Sequence, residues 1–486
     1  SCGGMVPVTA ILGLLLPQPP TTRSHPCNDA KRANPRLTEG SDFSNAGDVD
    51  RRADVERLKR LFLTTDVDMS DDSPVSAGFL RDIPLARWSM VFLPHQQVLL
   101  NVFQPQYTLL FESLLARPPP HYYLHVLLPG GVDNLADPAY ALPDADGKRS
   151  DRAAIIGTLM QVVDVQRQPD SRLAIVVQGV SRAVVLRATQ ATPYARADVQ
   201  ILPDMEAMLA SACAARRFSR ESRLLSVRDD TLSLTAAAAE EEWWREYENE
   251  QTLLEGGMPP ALCKFNVSAA QCAVSGAACS LRTALDEAQT TEVPEDAEAL
   301  IRSSPTVSGL LESCEAVLGA FDADAANVSA AEAEAESEDT LALASLEVQC
   351  WLELDAFLRG VGARSGGKLP VPKQLLGLLP PPPRAGWPDE FVLDKVVIEL
   401  RRNAASQRAS SSFDQSRDDS EPYVPVDPDY PMRRRAQRLS YSIWLVVREE
   451  GLDLQPVLEA PSTSDRLRMA ILRLRELGDR LRPLGS

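Results

Sequence analysis

Residues 82–204 contain a series of short apolar segments separated by turn residues, and this series constrains the fold most. Val98-Leu-Leu-Asn-Val-Phe103 has the length and composition of a strand. Leu173 to Val180 is predicted to return beside the preceding strand, because Gln168-Pro-Asp170-Ser171 is typical of a hairpin turn. Only Tyr107 to Leu115 has helical periodicity in this region. The pattern predicts a compact, mostly antiparallel β barrel or sandwich.

Finer features of this region are also predicted. Asp82 to Pro94 is expected to form two short strands joined by a turn, and Val184 to Leu186 a strand separate from Leu173 to Val180. Gly157 and Gly179 fall inside strand patterns, where glycine usually marks a bulge or a close approach of two backbones. We therefore expect these two glycines to shape the fold.

Several short motifs follow one another through this region. They are Ile83-Pro84-Leu85, Val102-Phe103 with Pro105 and Tyr107, Ile156-Gly157-Thr158, Gln168 to Leu173, Val177 to Arg182, and Leu202-Pro203-Asp204. In order and spacing they resemble the N-terminal domain of Lon, the ATP-dependent protease La, which has a PUA-like β fold. The chain departs from that family at Gln104 and Gln106, where the family often has an acidic residue and an arginine.

The C-terminal residues have helical periodicity. Tyr430 to Val447 is predicted to form a helix with Pro431 in its first turn. Ser462-Thr-Ser-Asp465 resembles a capping box, and apolar residues follow it at helical spacing from Leu467. This block is similar to the helices that follow the β domain in proteins with a Lon N-terminal domain, through Leu458, Glu459, Arg466 and Leu467.

The resemblance implies an α+β fold: a PUA-like, mostly antiparallel β barrel, then a helical block, with a long helical and disordered insertion between them. The expected organisation is a disordered leader at residues 1–80, the β domain at 81–204, the insertion at 205–425 and the C-terminal helices at 426–484. In the leader, Val6 to Leu16 is an apolar run too short to span a bilayer, and a basic, acid-poor stretch follows it. This is either a targeting segment, for a plastid (chloroplast) or mitochondrion, or an uninformative leader of a cytoplasmic protein.

Charge and cysteine spacing exclude several classes of function. The 486-residue chain has a net charge of −18, which disfavours binding to nucleic acids or anionic membranes. None of its eight cysteines forms a Cys-x-x-Cys pair, so zinc ribbons and RING domains are not predicted. His121 and His125 fall in an apparent strand, without the glutamate that zincins require. We expect no metal, no cofactor and no integral membrane span.

One near-match to a nucleotide-binding motif fails on chemical grounds. Gly362 to Leu369 follows the P-loop pattern until its last position, where Leu369 replaces the hydroxyl residue that binds Mg²⁺. An apparent helix precedes this segment, whereas a P-loop follows a strand. No Ser-Lys protease dyad is recognised either. The chain is therefore not expected to be an enzyme, the alternative being a degenerate protease or ATPase.

The resemblance implies a non-catalytic module that binds polypeptides, without the AAA+ and protease domains of Lon. Its partners would be polypeptide substrates or proteins of a protease or ligase complex, and its role substrate recognition, or that of an adaptor, in protein quality control or proteolysis. The alternative is a cereblon-like substrate receptor of a ubiquitin ligase that lacks the zinc domain. For each candidate contact residue, packing in the core is the competing role. The candidates are Trp88, Phe92, Phe103, Tyr107, Tyr122 and Tyr140.

Overall fold

The structure is a computed structural model. It describes residues 57–58, 77–144, 148–168, 172–212, 281, 295–322, 328–364, 371–409, 432–449 and 451–481. The predicted targeting segment and the turn residues 169–171 lie outside this set.

In the described residues, six strands form one mixed sheet. The strands are β1 (Phe79–Trp88), β2 (Gln97–Val102), β3 (Tyr122–Leu127), β4 (Ile156–Arg167), β5 (Leu173–Gln190) and β6 (Ala195–Leu202). Their order in the sheet is β2-β5-β4-β3-β1-β6, and β5 also pairs with β6, which curls the sheet. The β1–β3 pairing is parallel, and the other pairings are antiparallel. The predicted α+β class is confirmed.

β5 is one continuous strand, so the prediction of separate strands at 173–180 and 184–186 was wrong. Its first half pairs with β2 and β4, and its second half pairs with β6. Ser181 and Arg182 lie between the two predicted strands, and both side chains are buried here. Register shifts along β5 let this strand bend while its pairing continues.

The predicted pair of strands at 82–94 was also wrong, because β1 is a single strand and residues 89–96 are irregular. Side chains provide hydrogen-bond partners for backbone carbonyls of this irregular segment. Nε2 of His125 lies 2.6 Å from the Met90 carbonyl oxygen, and the Thr158 hydroxyl donates to the Phe92 carbonyl at 2.5 Å. These bonds replace the ladder that a second strand would have made.

Gly157 and Gly179 lie where two backbones approach closely, as predicted. A Cβ at Gly157 would collide with the carbonyl oxygen of His125, and one at Gly179 with that of Leu93. Both glycines therefore fix how closely the neighbouring segments pack.

Helix α1 (Pro105–Leu115) is confirmed, with Pro105 in its first turn. It packs on one face of the sheet and forms a small core there. Tyr107, Leu110 and Phe111 from the helix meet Tyr123 and other strand residues in this core.

The helices after the sheet share a second, larger core with it. They are α2 (Glu295–Ser303), α3 (Pro305–Asp322), α4 (Val328–Arg364), α5 (Lys373–Leu376), α6 (Leu393–Ala409), α7 (Met432–Ser442), α8 (Gln455–Glu459) and α9 (Thr463–Leu481). Cys314 and Trp351 from the predicted insertion are buried in the same cluster as Leu124 of the sheet and Leu474 of α9. The described helices of the insertion are therefore part of the folded body.

The segment resembling a P-loop begins inside a helix. Gly362 to Arg364 form the last residues of α4, and residues 365–370 lie outside the described set. The expectation that a helix rather than a strand precedes this segment is confirmed.

Candidate functional site

A groove of about 630 Å³ lies beside β2. Its walls come from β2, from the residues that follow β1, and from the 3₁₀ turn at Gly131–Asn134. The volume falls in the range of ordinary ligand sites. β2 therefore forms one wall of a concave surface large enough to hold a ligand.

The rim of the groove carries large apolar side chains that face solvent. Leu99 is 63% exposed, Phe103 55% and Met90 43%. Val132, on the opposite rim, is also exposed. Clustered exposed apolar side chains are typical of surfaces that bind a partner.

β2 is also an end strand of the sheet. It pairs with β5 on one side, and the strand order places no described strand on its other side. Its sequence, Gln-Val-Leu-Leu-Asn-Val, contains none of the charged residues or prolines that commonly protect strand edges from further pairing.

Three of the six predicted contact residues line the groove: Trp88, Phe103 and Tyr107. The Trp88 ring meets the Tyr107 ring edge to face at 5.2 Å between centroids. The Tyr107 hydroxyl donates to the Arg87 carbonyl at 2.7 Å, and burial raises the pKa of this phenol. The Tyr107 side chain is thus held in place at the bottom of the groove, while Phe103 faces the solvent.

The other three candidates lie elsewhere. Phe92 is buried and packs on His125 at 4.5 Å between ring centroids. Tyr122 packs against the larger core, and burial raises the pKa of its phenol to about 12. Tyr140 offers its backbone carbonyl to the Arg87 guanidinium at 2.7 Å. The structure does not bring these three residues to the groove.

Met90, Leu99 and Val132 belong to the groove but were not among the predicted contacts. A signal for one of them was present in the sequence. Val98-Leu99-Leu100 places three apolar residues in a row on a strand, and alternation requires one of them to point away from the core. That residue is Leu99.

Charge is sparse in the groove. Among its described lining residues, Asp133 is the charged member, and the others are apolar, aromatic, hydroxyl or amide side chains or glycine. Asp133 is exposed. The site therefore suits an apolar ligand with a positive group at one end.

A second polar feature joins the sheet to the C-terminal helices. Asp204 is buried and accepts from Arg182 at 3.1 Å and from Arg466 at 3.0 and 2.5 Å. Gln437 and Thr463 also donate to the Asp204 carboxylate. Burial alone would raise the pKa of this carboxyl, but the charges of Arg466 and Arg182 hold it far below its ordinary value.

This buried network is a structural link between the sheet and the C-terminal helices. The Arg466 guanidinium also lies over the Tyr441 ring at 4.1 Å and is fully buried. Arg182, Asp204 and Arg466 all belong to the sequence motifs described above, but the motifs do not predict that these three residues meet. Their separation along the chain left no local pattern that could reveal the pairing.

No group of three or more His, Cys, Asp or Glu side chains in the described part of the chain is arranged to hold a metal ion. No helix in the described ranges combines the length and apolarity needed to cross a membrane.

The fold is a small mixed β domain with an apolar groove beside its end strand β2. Residues 83–265 match the family described as the ATP-dependent protease La (LON) substrate-binding domain. This match confirms the resemblance to the Lon N-terminal domain for this part of the chain.

Three known proteins align with parts of this chain. A 49-residue stretch is 45% identical to the Lon protease of Desulfovibrio desulfuricans and spans 10% of this chain but only 6% of that protease. Among solved structures, the Lon N-terminal domain protein from Xanthomonas campestris aligns at 18% identity over 33% of this chain and 82% of its own, with a TM-score of 0.19. The N-terminal domain of Mycobacterium avium complex Lon protease aligns at 12% identity over 48% and 96%, with a TM-score of 0.18.

Proposed function

We propose that this protein is a non-catalytic module that binds polypeptides through its Lon-type domain and acts in substrate recognition, or as an adaptor, in protein quality control or proteolysis. One observation carries the proposal: the open groove beside β2, with Leu99, Phe103 and Met90 exposed on its rim. Unfolded polypeptides expose apolar side chains that folded proteins bury, so such a groove favours the unfolded form.

The composition of the groove supports binding over catalysis. Its described lining holds the hydroxyl of Ser89 and the carboxylate of Asp133 but no histidine, cysteine or lysine. Nucleophilic catalysis requires a nucleophile within hydrogen-bond reach of a base. The described lining lacks the histidine that most often serves as this base.

The test compares one polypeptide in two states. Fluorescently labelled α-lactalbumin, either native or reduced and blocked with iodoacetamide, is titrated with the full chain and followed by anisotropy. We expect the unfolded form to bind with a Kd on the order of micromolar, about −8 kcal/mol, and the native form to bind at least tenfold more weakly. Equal binding of both forms, ATP hydrolysis or casein cleavage would contradict the proposal.

A further inference from the structure

We propose that an extended polypeptide binds as an added strand along the edge of β2 that pairs with no described strand, with its apolar side chains in the groove and a lysine or arginine beside Asp133. This inference rests on the proposed function and adds to it the binding geometry and a sequence preference.

The hydrogen bonds around Gly179 fix which backbone groups of β2 face outward. The Gly179 N–H donates to the Gln96 carbonyl at 2.8 Å, and the His95 N–H donates to the Gly179 carbonyl at 2.9 Å. This is the pattern of a β-bulge at the start of the pairing with β5. The alternation of antiparallel bonds then directs the N–H and C=O groups of Val98, Leu100 and Val102 toward β5.

The same alternation directs the backbone groups of Leu99 and Asn101 away from β5. Two residues with one donor and one acceptor each can form about four hydrogen bonds with an added strand. A partner of about six residues spans this edge, because strands rise by roughly 3.3 Å per residue. Such main-chain bonding supplies affinity without requiring a particular sequence.

The groove lies against this edge, so it can take side chains from the added strand. The groove is lined by Val98 to Phe103, of which Leu99 and Phe103 have exposed side chains. Side chains alternate along a strand, so every second residue of the partner faces the groove. The preferred partner is therefore a segment in which apolar residues alternate with others.

Charge selects this occupant over a second copy of the chain. Two copies with a net charge of −18 each repel one another, whereas Asp133 attracts a cationic side chain to the lining of the groove. An apolar segment with a flanking lysine or arginine satisfies both the edge and the charge.

The backbone claim is tested with N-methylated peptides. An eight-residue fluorescent peptide of alternating valine and threonine, with a lysine at each end, is titrated into the full chain. N-methylation of alternate residues removes the N–H groups on one edge of the peptide and leaves its side chains in place. We expect at least tenfold weaker binding when one alternate set is methylated and an unchanged Kd when the other set is methylated.

Three variants of the protein complete the test. Leu99→Pro removes an outward N–H without removing a bond to β5, so we expect at least tenfold weaker peptide binding and an unchanged circular dichroism spectrum. Leu99→Ala is the matched control that retains the N–H, and it should weaken binding less. Asp133→Asn should weaken the lysine peptide severalfold in low salt and leave a glutamine analogue unaffected.

The outcomes separate this inference from the proposed function. If the peptide and both methylated forms bind equally well while unfolded α-lactalbumin still binds, strand addition is overturned and the binding function stands. If neither the peptides nor unfolded α-lactalbumin binds, the proposed function fails first. Concentration-dependent dimers that Leu99→Pro abolishes, seen by sedimentation, would instead assign the edge to a second copy and overturn the inference.

Discussion

Asp204 is a single carboxylate on which two buried arginines converge. Arg182 comes from the sheet and Arg466 from α9, and both side chains are almost fully excluded from solvent. A buried charge is costly unless it is paired, so each member of this triad depends on the others. The network therefore holds the helices against the sheet in one arrangement.

Replacing Asp204 with asparagine removes the charge that both arginines need. We expect Asp204→Asn to lower the free energy of unfolding by about 3 to 5 kcal/mol, measured by urea denaturation at neutral pH. The control is Glu298→Gln, which removes an exposed ion pair with Arg302 and should change stability by less than about 1 kcal/mol. Equal losses of unfolding free energy in the two variants would show that the buried triad contributes no more to stability than an exposed ion pair.

Gly179 is the second residue on which the local geometry depends. Because a Cβ there would meet the Leu93 carbonyl, Gly179→Ala should shift the irregular segment beside β2 and destabilise the protein by about 1 to 3 kcal/mol. Gly309→Ala is the control, since that glycine lies inside α3 with open space around it and should be neutral or stabilising by up to about 1 kcal/mol. Thermal unfolding of both variants distinguishes steric collision from a general effect of alanine.

His125 links stability to pH. It is fully buried between β1 and the irregular segment, and burial lowers the pKa of its imidazole to about 4. The unfolded chain therefore binds a proton near pH 6.5 that the folded chain resists until about pH 4. Stability should fall by about 3 kcal/mol from this group as pH drops through that window, and it should not fall further below it.

The pH prediction is measured by urea unfolding from pH 7 to pH 4. His125→Gln removes the titrating group and keeps a donor for the Met90 carbonyl, so the slope of stability against pH should become shallower. A slope equal to that of the unaltered protein would contradict the assignment. Burial and the charge of Arg438 also lower the pKa of His95, so some slope should remain.

At the scale of elements, the N-terminus of α9 is satisfied from another part of the chain. The Thr463 and Ser464 N–H groups donate to the two carboxylate oxygens of Glu206, at 3.0 and 2.9 Å. The predicted cap is also present, since the Asp465 N–H donates to the Ser462 hydroxyl oxygen at 2.9 Å. The helix therefore begins with its free donors paired and a negative charge at its positive end.

Glu206→Gln tests the contribution of this long-range cap. The variant loses the charge and one of the two acceptors, so we expect a loss of about 1 to 2 kcal/mol in the free energy of unfolding. Added salt should change this difference little, because the Glu206 carboxylate is buried and salt screens buried charges weakly. A variant as stable as the unaltered protein would show that this carboxylate does not stabilise the start of α9.

Elements with a local signal were predictable from the sequence, and elements set by distant partners were not. The periodicity of α1 and α9, with Pro105 and Ser462 at their starts, located those helices. The continuity of β5 was hidden because Arg182 looks like a surface residue until its distant partners are known. The groove was predictable in part: Trp88 and Tyr107 are aromatic, whereas Val132 reaches it through the fold of a loop.

At the scale of the whole molecule, the described helices of the insertion pack against the C-terminal helices and the sheet. Arg435 of α7 donates two hydrogen bonds, at 2.7 and 3.0 Å, to the buried carboxylate of Glu347 in α4. Trp351 of the same helix is fully buried in the larger core. A shortened chain without α4 would expose the apolar face of α9, so binding experiments need the full chain.

Hydrogen exchange tests whether α4 and the sheet unfold as one cooperative unit. Because α4 and β5 contribute to the same core, amides near Trp351 and near Val184 should exchange with similar free energies of opening, close to the global value. Amides at the groove turn, around Val132, should open more easily. Fast exchange throughout α4 with protection retained in β5 would show that the helix docks without sharing the core's stability.

The buried triad also has a consequence for biosynthesis. Arg466 follows Asp204 by 262 residues. At 5 to 20 residues per second, a ribosome needs about 13 to 50 s to translate that interval. During that time, the Asp204 carboxylate of the nascent β domain lacks its Arg466 partner and remains hydrated. Vectorial synthesis should leave this surface open to chaperones until α9 emerges, and a chain arrested between the two residues should be more sensitive to protease than the released protein.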